Sequence, residues 1–104
     1  MYTGDYHIVE KNGFIHYCGG CLNVHFVYKN TMISICAKSI LDFKHDIERY
    51  IHEILIAQVP KGTRIRIKTP FEGLYFLYHI DELYEIKQML DRYVVLNPAL
   101  LHNN

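Results

Sequence analysis

Two stretches of the chain, forty-three positions apart, repeat one order of strand, turn, strand and amphipathic helix. Residues 24–50 (VHFVYKNTMISICAKSILDFKHDIERY) line up with residues 67–93 (IKTPFEGLYFLYHIDELYEIKQMLDRY). Ile33 falls on Phe76, Ile35 on Tyr78, Ile40 on Leu83, Phe43 on Ile86 and Ile47 on Leu90; Glu48-Arg49-Tyr50 falls on Asp91-Arg92-Tyr93. Self-similarity at a fixed offset signals a duplicated supersecondary unit, neither copy of which can bury its apolar face alone. The duplication constrains the architecture and names no chemistry.

Hydrophobic periodicity supplies the elements. Residues 14–17 read as a short strand running into Cys18-Gly19-Gly20-Cys21. Residues 22–28 alternate, with Leu22, Val24, Phe26 and Tyr28 on one side and Asn23, His25 and Val27 on the other. Lys29-Asn30-Thr31 turns the chain into residues 32–37, where Ile33 and Ile35 point inward and Met32, Ser34 and Cys36 outward. Period-two runs on both sides of a short polar link mark a hairpin. Ser39 is a good helix N-cap, with Asp42 three residues on. Ile40, Phe43, Ile47, Ile51 and Ile54 then form one apolar stripe, opposite Asp42, His45, Asp46, Arg49 and Glu53. Pro60-Lys61-Gly62 ends this helix. Residues 63–69 alternate again, Ile65 and Ile67 inward, Arg64, Arg66 and Lys68 outward; residues 70–73 turn into a strand over 74–79. Asp81 caps a second helix with the stripe Leu83, Ile86, Leu90 and Val94, stopped by Asn97-Pro98. Residues 1–13 show no clear period, apart from the turn signal Asn12-Gly13.

The expected fold is a single α+β domain over residues 1–104. It has an antiparallel sheet of four main strands plus a short N-terminal strand, with two helices on one face. The tandem ββα repeat, 14–58 with the CxxC hairpin and then 61–97, is expected to show pseudo-twofold symmetry. A chain of 104 residues buries roughly 60–65% of its unfolded surface, enough for one core between two layers. Half the residues are apolar and nine are Tyr, which excludes disorder over most of the chain. Eleven basic and eleven acidic residues cancel, so no global field steers the protein toward nucleic acid or an anionic membrane. No apolar run reaches the ~20 residues of a membrane span. The first residues lack a basic segment followed by an apolar one, so a signal peptide is not expected. Three cysteines, an odd number, suit a reducing cytoplasm better than a secreted disulfide framework.

Cys18-Gly19-Gly20-Cys21 is the one motif with a chemical claim. Two thiolates flanking two glycines form a knuckle in which both sulfurs reach one Zn²⁺ at ~2.3 Å. Closure must borrow from His7, His16, His25 or Cys36, or from a second chain; His7, able to fold back along the first hairpin, is preferred as the third ligand. Two reduced, unligated cysteines in a hairpin turn are the equal alternative. Thioredoxin-like chemistry needs the first Cys at a helix N-terminus, and here a strand follows. The second feature is the outward sheet face, which alternation predicts to gather Arg64, Arg66 and Lys68 beside Tyr75 and His79, with Asn23, His25, Met32, Ser34 and Cys36 on the other hairpin. Aromatics among basic residues on a sheet hold single-stranded nucleic acid by stacking and phosphate contact, although balanced charge and acidic helices weigh toward a merely solvated strand. Met32, Tyr75 and Leu77 suit a subunit or partner interface instead. His45 and His52 read as a solvated helix face, and Tyr50 and Tyr93 as packing at the rim between the helices. No GxSxG, phosphate-cradling Gly loop or HExxH occurs, and an enzyme is not expected.

Cys18-Gly19-Gly20-Cys21, residues 26–30, residues 32–35, Leu41-Asp42-Phe43, residues 64–70, Gly73-Leu74 and Asp81-Glu82-Leu83 together resemble a small bacterial domain-of-unknown-function family. It has a CxxC turn followed by a duplicated strand-strand-helix unit, and the resemblance spans residues 14–95. It implies the same architecture and no activity. Relatives carry further Cys or His ahead of the knuckle, where this chain offers His7 and His16. The expected function is thus a non-enzymatic binding module with an unknown protein partner, a homodimer, with or without a knuckle zinc. The alternative is a single-stranded nucleic-acid-binding domain using Arg64, Arg66, Lys68 and Tyr75.

Overall fold

A computed structural model describes residues 6–18, 23–69 and 71–96, the side chains of residues 6–10 and 18 excepted. Eight elements follow one another: β1 (Tyr6–Glu10), β2 (Gly13–Cys18), β3 (Asn23–Tyr28), β4 (Thr31–Cys36), α1 (Ser39–Ala57), β5 (Ile65–Lys68), β6 (Tyr75–Tyr78) and α2 (Ile80–Leu96). The fold is α+β. Strands β1 to β4 form an antiparallel meander in chain order, and β5 and β6 form a separate two-stranded ladder.

Two expectations about the sheet are corrected. The two hairpins of the repeat do not share one sheet, because alternation fixes which face of a strand meets the core and leaves its edge partners open. Instead, β5–β6 is held by side chains: the Lys68 backbone N–H donates to the Tyr50 hydroxyl at 3.1 Å, and Tyr78 packs edge-on against Tyr28 with ring centres 5.3 Å apart. The segment before residue 13 also holds a full strand. Its register pairs Tyr6 with Tyr17 and Ile8 with Ile15, but His7 and Val9 between them are themselves aromatic and apolar, which hides the alternation.

One core fills the space between sheets and helices. Ile40, Phe43, Ile47, Leu83, Ile86 and Leu90, the aligned stripes of the two repeats, are each at most 2% exposed. Ile15, Val24, Phe26, Ile33 and Ile35 meet them from the meander, and Ile67, Phe76 and Tyr78 from the hairpin. Each fully buried side chain of this kind contributes about 1.5–3 kcal/mol. The helix ends differ from expectation in detail. Lys38 occupies the N-cap of α1 and makes no side-chain cap bond, so Ser39 and Asp42 form no capping pair. The helix closes at Gln58, whose left-handed backbone aims its N–H at the Ile54 and Leu55 carbonyls, ahead of Pro60. At α2 the cap passes from Asp81 to Glu82, whose carboxylate accepts the His79 backbone N–H at 2.8 Å.

The helices pack against each other and share a ring of four charges. Lys44 pairs with Glu48 at 2.8 Å and Lys87 with Asp91 at 2.7 Å within each helix. Across the seam Lys44 meets Asp91 at 3.4 Å and Lys87 meets Glu48 at 3.8 Å. The repeat aligns Lys44 with Lys87 and Glu48 with Asp91, so each crossing pair is the other's counterpart. Among the described residues no helix is long and apolar enough to cross a membrane.

Candidate binding surface

Rows of cross-strand neighbours define the two faces of the meander. Ile8, Ile15, Phe26 and Ile33 form one row, and Tyr6, Tyr17, Val24 and Ile35 another; Ile15, Val24 and Phe26 are at most 1% exposed and belong to the core. The rows between them belong to the opposite, outer face. They run Phe14–Val27–Met32, His16–His25–Ser34, and Asn23–Cys36. Phe14 is 36% and Met32 62% exposed. The His16 and His25 rings lie 5.6 Å apart, tilted by 30°.

Two turns set this register. Lys29 takes a positive φ of 53°, and its backbone N–H donates to the Asn12 carbonyl at 2.7 Å, stitching the β3–β4 turn to the β1–β2 turn. Gly13 lies directly against β3: a Cβ there would sit 2.1 Å from the Val27 carbonyl oxygen. Only a residue without a side chain permits that approach.

Behind the turns, Glu85 of α2 accepts both bonds of the Asn12 amide, at 2.8 and 2.9 Å, and the Tyr28 hydroxyl. Lys29 pairs with Glu82 one turn away at 2.5 Å. The Tyr28 hydroxyl holds the Glu85 carboxyl below the usual carboxylate range, against some desolvation and with help from Asn12. Burial and then the Glu85 partner push the Tyr28 phenol up. Burial, followed by the Glu82 charge, pushes Tyr78 up to about 12. The cluster anchors α2 to the sheet.

The outer face of β5–β6 gathers the second set of expected residues. Lys68 stands opposite Tyr75 and Arg66 opposite Leu77, and the Arg66 guanidinium lies 4.9 Å from the Tyr75 ring centre, a cation–π contact. Tyr75 and Leu77 are 46% and 55% exposed, and Arg64 is exposed just ahead of β5. Arg66, Lys68 and Tyr75 therefore meet, but on a different sheet from His25, Met32, Ser34 and Cys36. His79, expected on the same face, lies beyond the strand with its Nδ1 buried and without a hydrogen-bond partner among the described residues.

Cys21 lies outside the described residues, as do the side chains of Cys18 and His7, so the knuckle has no described geometry. The Cys36 thiol is free and exposed. Among the described residues no three His, Cys, Asp or Glu side chains converge as a metal site. Sequence reasoning missed the Asn12–Tyr28–Glu85 cluster, whose members are far apart in the chain, and the histidine row. The equal nine-residue intervals of His7, His16 and His25 were the available signal for that row. A family model described as a family of unknown function (DUF6686) matches residues 6–102. No curated protein and no solved structure shows a significant match to the chain.

Proposed function

The chain belongs to the family of unknown function DUF6686, and we propose that it is a non-enzymatic interaction module whose first partner is a second copy of itself. The observation that carries this reading is the apolar row of Phe14, Val27 and Met32 on the meander face turned away from the core. A twofold interface sets the same patch against itself, and equal numbers of acidic and basic residues leave two copies without net repulsion. Light scattering across a concentration series is expected to give twice the 12.3 kDa chain mass, and Met32→Glu to restore the monomer. A wild-type mass of one chain at every concentration rejects the homodimer. In the same reading the two ββα units are duplicates about an approximate twofold, which the reciprocal charges of the helices support. The location is cytoplasmic, as the odd cysteine count suggests. A structural zinc held by Cys18 and Cys21, with His7 as third ligand, pins the first hairpin; a metal content unchanged in Cys18→Ser retires it.

A second reading is favoured by the Arg66–Tyr75 stack. With Arg64 and Lys68 beside it, the hairpin offers a stacking platform and phosphate partners for single-stranded nucleic acid. Binding to oligonucleotides at two salt concentrations tests this, since phosphate contacts release counterions. A salt-insensitive signal, or none, rejects it.

A further inference from the structure

We propose that the outer face of the meander carries a divalent transition-metal site centred on His16 and His25, whose donors include neither Cys18 nor Cys21. The two residues are direct cross-strand partners, their ring centres 5.6 Å apart. A metal bound about 2.0–2.1 Å from an imidazole nitrogen lies about 3.2 Å from that ring's centre, so two rings closing on one ion at a tetrahedral or wider angle have centres about 5–6 Å apart. The observed spacing falls in that window.

Both backbones are fixed by the β2–β3 ladder, whose register runs unbroken from Gly13↔Tyr28 to Cys18↔Asn23. Chelation therefore requires adjustment of side-chain torsions and little backbone movement, which lowers the ordering cost of binding. Water completes the shell around the two imidazoles. Imidazole donors select zinc, copper and nickel over magnesium and calcium.

The test is calorimetric titration of the full-length, reduced, metal-stripped protein with Ni²⁺ and with Zn²⁺. One equivalent per chain is expected. His16→Gln and His25→Gln should each weaken binding at least tenfold. Cys18→Ser/Cys21→Ser and His45→Gln/His52→Gln should leave it intact. Circular dichroism identifies which variants keep the fold, and either His16→Gln or His25→Gln suffices alone. Binding lost in the cysteine or helix variants while the row variants bind normally overturns the site. So does wild-type affinity no tighter than that of the folded His16→Gln or His25→Gln protein.

Discussion

Glu85 is where a single side chain does most to join the layers, because its two oxygens are shared between Asn12 and Tyr28. Its carboxyl is held below the ordinary range, so it binds fewer protons in the folded chain than in the unfolded one around pH 4. The stability it contributes is complete above the unfolded carboxylate value of about 4.3 and is lost as pH falls through the lower folded value. Denaturant midpoints should drop as pH is lowered below that range, and Glu85→Gln should flatten the drop while lowering stability at neutral pH. Tyr28→Phe should cost about 1.5 kcal/mol, the low end for a bond to a charged acceptor, since the carboxylate is partly in water. Gly13→Ala has a different cause. The added methyl meets the Val27 carbonyl, so β2 and β3 must part, and urea denaturation should show a loss of about 1–3 kcal/mol.

At the level of elements, the helical stripes were legible because three-and-four spacing is a local property of the sequence: all six aligned stripe residues are buried. Ile86→Ala, at the centre of the second stripe, should cost about 2–5 kcal/mol in the same assay. The caps were less legible. Whether Ser39 or Lys38 begins α1, or Asp81 or Glu82 closes on the His79 amide, turns on a few tenths of a kcal/mol and on where the preceding strand delivers the chain. The ring of Lys44, Glu48, Lys87 and Asp91 is partly exposed. Neutralising Lys44 and Asp91 together should therefore lose less than the sum of the two single losses, each being within about 1 kcal/mol. A double-mutant cycle measures the difference.

Across the whole molecule, the sequence carried the α+β class but not the division into two sheets. Strand pairing is a long-range choice among edges, and Ile65–Lys68 alternates as well alone as it would beside Thr31–Cys36. The candidate surface was legible in the same uneven way. Met32, Ser34 and Cys36 could be read as outward from period two. That His16 meets His25 needed the register, which the four residues between Cys18 and Asn23 do not reveal by composition. Arg66 and Tyr75 were placed together correctly because their hairpin is local.

The separate β5–β6 ladder has a dynamic consequence. Among the described residues no ladder bond joins it to the meander, and each of its strands is four residues long. The short hairpin can open while the larger sheet stays closed, so backbone deuteration should run on two clocks, with Ile67 and Phe76 amides exchanging well before those of Ile15 and Phe26. A common rate for both, read by mass spectrometry at neutral pH, would mean that the side chains beneath weld the two ladders into one cooperative body.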